Sequence, residues 1–150
     1  MGEEEHEDPT PTPRFVLDHV SVAVRDLDAA VAQYQALGLV PRGRESVPSE
    51  GAEVAFFDLG ATRLELVTPC TPDAPIARSL DKRGEGLHHI ALRVPDLDAA
   101  LARVKAAGLS VVHDGPTPGA GATRVAFVHP KGLSGVLVEF VEKADPRGAG

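Results

Sequence analysis

Two stretches of the chain, HVSVAVRDLDAAVAQYQALGL at residues 19–39 and HIALRVPDLDAALARVKAAGL at residues 89–109, align without a gap at an offset of 70. The likeness continues further on, where LELV at 64–67 corresponds to VEFV at 138–141 with an offset of 74. Self-similarity over such a length indicates that one structural unit occurs twice in succession. We therefore expect two halves of the same fold.

Each half has the same predicted order of elements. In the first half, Val20, Val22 and Val24 alternate with small or polar residues, which predicts a strand with one buried face. A helix is predicted over 27–37, with an aspartate suited to its N-cap and Gly38 suited to its end. Three short β-type runs then follow, at 40–46, 53–59 and 62–68. The second half repeats this order, so the expected fold class is α+β, with two tandem βαβββ units.

A half of this size has too little helix to cover its own sheet. We therefore expect the two units, 15–69 and 85–143, to form one domain in which a curved sheet encloses a shared, metal-binding cleft. Residues 1–14 are acidic and rich in proline, which predicts a disordered tail, and 144–150 are expected to be a loose C-terminal tail.

Composition excludes several classes of protein. The chain has 150 residues, is 43% hydrophobic and carries a formal net charge of −7, without a cluster of basic residues. Nucleic acid is therefore not an expected partner. No apolar run approaches the length of a membrane helix, so no membrane association is expected. The single cysteine, Cys70, cannot form an intramolecular disulfide and no signal peptide begins the sequence, so we expect a cytoplasmic location.

Four ionisable residues occupy matched strand positions where a plain core strand would carry valine. Their positions are His19 and His89 in the first strand of each half, and Glu65 and Glu139 in the last strand of each half. A carboxylate between apolar neighbours in a strand is costly to bury unless it is paired or binds a cation. Two imidazoles and two carboxylates suit a divalent ion of Mn, Fe, Co, Ni or Zn. We predict a metal site made of these four residues.

The repeat also separates these residues from the remaining histidines. His89 aligns with His19 without a gap, whereas His88 is expected to point to the opposite face and to have a supporting or structural role. His113 and His129 lie at predicted turns, where an exposed histidine is the expected outcome.

These features resemble the vicinal oxygen chelate superfamily, which includes glyoxalase I, extradiol dioxygenases and bleomycin resistance proteins. Within it, the motifs GEGLHHIALRV at 84–94 and HPKGLSGVLVEF at 129–140 are most similar to the methylmalonyl-CoA epimerase family. The resemblance covers about residues 16–141. It implies the glyoxalase-like fold and a metal-dependent isomerase that interconverts (2R)- and (2S)-methylmalonyl-CoA by α-proton abstraction through a metal-stabilised enolate.

The resemblance also bears on acid–base residues, since epimerisation needs a proton donor or acceptor on each face of the enolate. Glu139 is the candidate for one face. Some epimerases carry a glutamate at the position of Val54, and Glu53 should point the other way by strand alternation. The second group is therefore left open, and the candidates are Glu50, Glu85 and a metal-bound water.

An acyl-CoA thioester is the partner that the resemblance implies, and a homodimer is the expected assembly. Lys82, Arg83 and Lys131 are candidate contacts for the phosphates of CoA. Two alternative functions are kept open. The first is a glyoxalase I-type lactoylglutathione lyase, which uses a similar His/Glu ligand set, and the second is a non-catalytic protein of the same fold that binds a small molecule.

Overall fold

The structure is a computed structural model that describes residues 14–143. The predicted tails, 1–14 and 144–150, lie outside the described residues except for Arg14. The first half comprises β1 (Val16–Ala23), α1 (Leu27–Gln35), β2 (Pro41–Val47), β3 (Ala52–Leu59) and β4 (Thr62–Pro69). The second half comprises β5 (Gly86–Arg93), α3 (Leu97–Ala106), β6 (Thr117–Gly119), β7 (Thr123–Val128) and β8 (Val138–Lys143). The predicted α+β class and the repeated βαβββ order are confirmed.

One element was not predicted from the sequence. A second helix, α2 (Pro75–Arg83), joins the two halves. Its signals are present in the sequence, because Pro75 opens the first turn, Lys82 and Arg83 lie in the last turn and Gly84 follows. Among residues 14–143, the helices are all too short or too polar to cross a bilayer.

Within residues 14–143, eight strands form one sheet, in the order β2-β3-β4-β1-β5-β8-β7-β6. The two halves meet where β1 pairs antiparallel with β5, while β1 runs parallel to β4 and β5 runs parallel to β8. The register of the two parallel pairs is the same. Glu65 pairs with Ser21, two residues after His19, and Glu139 pairs with Ala91, two residues after His89. The four central strands therefore carry the four predicted ligands.

The sheet curls so that its two outer edges approach each other. A short 3₁₀ turn, Pro48–Glu50, follows β2 at one edge and contacts β6 at the other. The Ser49 hydroxyl donates a hydrogen bond to the carbonyl of Pro118 (2.7 Å), and the Gly121 amide donates to Glu45 Oε2 (2.8 Å). We refer to this junction of the Pro48–Glu50 turn with β6 as the seam. It lies opposite the central strands and encloses the concave face of the sheet.

The helices α1 and α3 pack on the convex face of the sheet, whereas the buried ionisable residues of the central strands face the concave side. Helix α1 packs Leu27 and Val31 against Phe57 and Leu66, and α3 packs its own apolar residues against the second half in the same way. Residues that alternate with these core positions, including His19 and Glu139, face the concave side. Helix α2 closes one end of the concave face through Ile76 and Leu80.

Two β-bulges interrupt the central β1–β5 pair. Leu17 pairs with Leu92 but His19 pairs with Ala91, so Asp18 is an extra residue on β1. Ser21 pairs with His89 but Val22 pairs with Leu87, so His88 is an extra residue on β5. A bulge re-aims the side chains on its strand. The two extra residues are 70 positions apart, so the bulges follow the repeat.

Phe57 offers a test of the first-half core. Its side chain is fully buried (0% exposed) and packs near Tyr34 with ring centroids 6.1 Å apart. Phe57→Ala should lower the free energy of unfolding by about 3–5 kcal/mol, because it removes buried apolar surface and leaves a cavity. Leu59→Ala, two residues further on at an exposed position, should change it by less than about 1 kcal/mol. Urea unfolding of both variants measures the difference, and equal effects would contradict this packing.

Candidate metal centre

The four predicted ligand residues line one cavity on the concave face. His19, Glu65, His89 and Glu139 are all buried, with 4–8% of each residue exposed. The remaining walls of the cavity include Val54 from β3 and Val125 from β7, so both halves contribute to it. The shared cleft expected from the repeat is therefore present.

Three of the four residues bring ligand atoms together. His19 Nε2 lies 3.1 Å from Glu139 Oε1, and His89 Nε2 lies 3.0 Å from the same oxygen. One nitrogen from each histidine and one oxygen of Glu139 lie within 4.8 Å of one another. This three-residue cluster could hold a metal ion.

The polar atoms of the cluster fit a bound cation. His89 Nε2 and Glu139 Oε1 are buried and have no hydrogen-bond partner among residues 14–143, although they lie 3.0 Å apart. Buried polar atoms in native proteins are nearly always hydrogen-bonded, since an unsatisfied one costs about 1–3 kcal/mol. Nitrogen and carboxylate oxygen are suitable donors for a divalent transition metal. A cation between them would satisfy both atoms.

The bulged residues orient the two histidines. His19 Nδ1 donates a hydrogen bond to Asp18 Oδ2 (2.8 Å), which leaves Nε2 directed at Glu139. In the second half, His89 Nδ1 lies 2.8 Å from His88 Nδ1, and His89 Nε2 is again directed at Glu139. A partner on the distal nitrogen fixes the orientation of a ligating imidazole. The prediction that His88 points to the opposite face is therefore wrong, because the bulge cancels the alternation at that position.

Sequence reasoning missed Asp18. Its side chain is buried (2% exposed) and lies close to three cations, with Arg93 Nη2 at 3.0 Å, Lys143 Nζ at 3.5 Å and Arg63 Nη2 at 3.7 Å. Burial alone would raise the pKa of Asp18, but hydrogen bonds from His19 and Arg93 and the nearby positive charges lower that pKa well below its usual range. Asp18 corresponds to His88 in the repeat, and this correspondence was a signal that could have identified it.

Opposing effects set the charges of His19 and Glu139. Burial would lower the pKa of His19, but its hydrogen bond with Asp18, its contact with the Glu139 carboxylate and the charge of Glu65 raise that pKa to about 9. Burial would raise the pKa of Glu139, but its contacts with His19 and His89 lower that pKa to about 2.

Glu65 lies in the same cavity but outside the three-residue cluster. Its Oε2 accepts a hydrogen bond from Arg63 Nη2 (2.8 Å) and lies 3.4 Å from His19 Nδ1, on the side of the imidazole away from Glu139. The position that corresponds to Arg63 in the second half is Leu137, so Glu139 has no such arginine. Burial is the largest cause of the raised pKa of Glu65. The ion pair with Arg63 breaks the symmetry of the two halves.

A second, larger cavity adjoins the first and shares Glu50, Val67 and His89 with it. Ile76 and Phe127 contribute apolar walls. Of the three predicted phosphate contacts, Arg83 lines this cavity. Lys131 lines a separate surface depression with His129, and Lys82 lines neither of the two adjoining cavities. His113 and His129 are exposed, as expected.

The candidates for a second acid–base group differ in whether they line the cavities. Val54 lines the first cavity, and Glu50 lines both cavities. Glu85 is exposed and accepts a hydrogen bond from the Arg25 amide (2.8 Å), outside both cavities. Glu53 lines neither cavity.

Comparison with known proteins identifies the family to which the chain belongs. Residues 18–127 match the glyoxalase/bleomycin resistance protein/dioxygenase superfamily. The chain is 43% identical to the ethylmalonyl-CoA/methylmalonyl-CoA epimerase of Cereibacter sphaeroides, over 83% of this chain and 95% of that protein.

Solved structures similar to this one also include methylmalonyl-CoA epimerases. The methylmalonyl-CoA epimerase of Mycobacterium tuberculosis is 37% identical, with a TM-score of 0.82 over 89% of this chain and 91% of that one. A Streptomyces coelicolor methylmalonyl-CoA epimerase in complex with 2-nitronate-propionyl-CoA is 36% identical, with a TM-score of 0.81 over 86% of this chain and 97% of that one. The chain belongs to the glyoxalase/bleomycin resistance protein/dioxygenase superfamily and, within it, to the methylmalonyl-CoA epimerases.

Proposed function

We propose that the protein interconverts (2R)- and (2S)-methylmalonyl-CoA. The observation that carries this proposal is the buried cluster of His19, His89 and Glu139, whose ligand atoms converge in a cleft shared by both halves, two of them without a hydrogen-bond partner among residues 14–143. A protein of the same fold, 36% identical, is known in complex with 2-nitronate-propionyl-CoA. The sequence resemblance and the site chemistry therefore support the same reaction.

The three clustered residues are the proposed ligands of a divalent ion of Co, Mn, Ni, Fe or Zn. Glu65 is the proposed fourth ligand, because it lies in the same cavity and corresponds to Glu139 in the repeat. Its carboxylate would have to turn away from Arg63 to reach the cluster. When bound, such an ion supplies Lewis-acid stabilisation of the negative charge that develops on the substrate oxygens.

The second cavity is the proposed site of the acyl-CoA arm. It adjoins the metal centre, and its apolar walls suit the thioester and the chain that follows it. Arg83, at its lining, is the proposed contact for a CoA phosphate. The protein has a formal net charge of −7, so this attraction must be local rather than a property of the whole molecule.

Glu139 is the proposed base for one epimer. Its carboxylate takes the α-proton, so that the Cα–H bond breaks, an O–H bond forms on Glu139 and the electron pair moves onto the thioester oxygen as an enolate. Inversion then requires a proton from the other face of the enolate.

The two alternative functions have less support. A non-catalytic binding protein has no need for a buried carboxylate oxygen and imidazole nitrogen that lack hydrogen-bond partners in the part of the chain that the structure describes. The relatives compared above are epimerases rather than lyases. The cytoplasmic location and the homodimer stay predictions.

Epimerisation itself provides the first test. Protein loaded with Co²⁺ is incubated in D₂O with each epimer separately, and proton NMR follows loss of the α-proton signal. Exchange should exceed the spontaneous rate from both epimers. Glu139→Gln should reduce exchange of the epimer whose α-proton Glu139 removes by about 10²- to 10⁴-fold, because the base for that face is lost, whereas Glu53→Gln should not change exchange of either epimer. Absence of exchange with metal bound would contradict the proposal, and formation of a lactoylglutathione thioester from a glutathione hemithioacetal would favour the lyase.

The role of Asp18 gives a second test. Asp18→Asn removes the charge that holds His19 Nδ1, so metal affinity should fall by about 10- to 100-fold. Asp58→Asn, which breaks an exposed ion pair with Arg42, should leave the affinity unchanged. Isothermal titration with Zn²⁺ measures both variants. Equal affinities for Asp18→Asn and the unmodified protein would show that the bulged aspartate does not support the metal centre.

A further inference from the structure

Glu50 lies at the seam, and its side chain is partly buried without a structural role among the described residues. Among residues 14–143, no hydrogen bond or ion pair holds its side chain, whereas Asp18, Glu65, Glu85 and Glu142 all accept hydrogen bonds. It lines both the metal-site cavity and the adjoining larger cavity. A carboxyl group that is unpaired and faces a cavity is available to a bound molecule.

The backbone around Glu50 is fixed. Gly51 follows in the left-handed region (φ 61°), and a Cβ there would lie 3.1 Å from Ala74 Cβ, so the chain turns tightly at this point. The Gly51 carbonyl accepts a hydrogen bond from the Cys70 amide (2.7 Å), and Ser49 on the other side is bonded to Pro118. Glu50 is thus anchored through both of its neighbours while its own side chain is free to contact a ligand.

The topology places Glu50 across the cavity from Glu139. Glu139 projects from β8, one of the four central strands, whereas Glu50 lies at the seam where the two outer edges of the sheet meet. A molecule bound in the cavity between them therefore has the Glu139 carboxyl group on the side of the central strands and the Glu50 carboxyl group on the side of the seam. Two acid–base groups on opposite sides of a planar enolate are what inversion requires.

We propose that Glu50 is the second acid–base residue, acting on the face of the α-carbon opposite to Glu139. This inference rests on the proposed function and completes it. In one direction Glu139 removes the α-proton and Glu50 donates a proton to the other face, so that the Glu50 O–H bond breaks and a new Cα–H bond forms. In the other direction the roles reverse. After each turnover the two carboxyl groups regain their starting protonation by exchange with water.

The electrostatic surroundings support this role. Burial, followed by the negative charges of Glu139 on β8 and Glu65 on β4, raises the pKa of Glu50 to about 7, and His19 on β1 opposes the shift. Burial is the largest cause of this shift, and a carboxyl group whose pKa is raised by burial can hold and release a proton closer to neutral pH than an exposed one. The other ionisable side chains that line the larger cavity with Glu50 are Arg83, His88, His89 and His113.

Deuterium incorporation separates the two proton-transfer steps. In D₂O, the Co²⁺-loaded, full-length Glu50→Gln protein should lose epimerisation by at least about 10²-fold. It should still exchange the α-proton of one epimer, with retention of configuration, because Glu139 continues to act on its own face. Glu50→Asp should recover part of the epimerisation. Glu53→Gln, the same chemical change three residues away and outside both cavities, should behave as the unmodified protein.

The possible failures are distinguishable. If the unmodified protein catalyses no exchange, the proposed function itself fails. If it epimerises and Glu50→Gln does so within about threefold of the same rate, only the role of Glu50 fails, since loss of an acid–base group costs about 10²-fold or more. Loss of exchange from both epimers in Glu50→Gln, with metal content unchanged, would also overturn the assignment, because it would indicate a structural role.

Thermal unfolding provides a readout that does not depend on activity. Between about pH 4.5 and about pH 7, the Glu50 carboxyl group is ionised in the unfolded chain but still protonated in the folded protein. Its contribution therefore lowers the free energy of unfolding as the pH rises through this range, and at higher pH the folded protein must hold a buried charge. Glu50→Gln should therefore raise Tm at pH 8 and leave it unchanged at pH 4.5, and the rise should be smaller with metal bound. A lower Tm at pH 8 would show instead that Glu50 stabilises the fold.

Discussion

The convergence of two imidazole nitrogens on a single buried oxygen of Glu139 is the constraint on which the site depends. At 3.0–3.1 Å, these atoms lie close together on the concave face, and two of them have no hydrogen-bond partner in the described part of the chain. Desolvated polar atoms in that arrangement are costly unless something binds them. A divalent cation is the simplest binding partner, and the rest of the site is arranged to maintain this convergence. Asp18 and His88 hold the distal nitrogens, and the central β1–β5 pair sets the spacing of the two histidines.

Duplication explains why the site lies between the two halves rather than within either one. Each half contributes one histidine from its first strand and one glutamate from its last strand, and the two-fold arrangement of β1, β4, β5 and β8 brings them together. Departures from symmetry then give the two glutamates different surroundings. Arg63 holds Glu65 away from the cluster, whereas Leu137 at the corresponding position leaves Glu139 to the histidines. Two carboxylates that were once equivalent can in this way take different roles.

Much of the fold and the ionisable residues that line the cavity could be predicted from the sequence because both follow from local patterns. The gapless repeat, the alternation of Val20, Val22 and Val24, and the aspartate and glycine at the helix ends determine the order of elements. Matched ionisable residues in strands then identify the polar face. Helix α2 was missed although its terminal proline and basic residues were visible.

The remaining features depend on pairing between strands, which alternation along one strand does not reveal. The bulges that place Asp18 and His88 beside His19 and His89 are properties of the β1–β5 register. The position of Glu50 follows from the closure of the sheet at the seam, and an exposed loop acid would have had the same local sequence. The Arg63–Glu65 ion pair is a contact between residues on the same face of β4, and periodicity indicates their common face but not the interaction.

Anomalous diffraction from crystals grown with Zn²⁺ tests the central claim most directly. The arrangement of the cluster predicts one ion on the concave face, about 2.0–2.2 Å from His19 Nε2, His89 Nε2 and an oxygen of Glu139. The same map shows whether Glu65 leaves Arg63 to become the fourth ligand. A folded protein with no ion at this point, or with an ion bound only elsewhere, would contradict the claim that the convergence of these atoms exists to bind a metal.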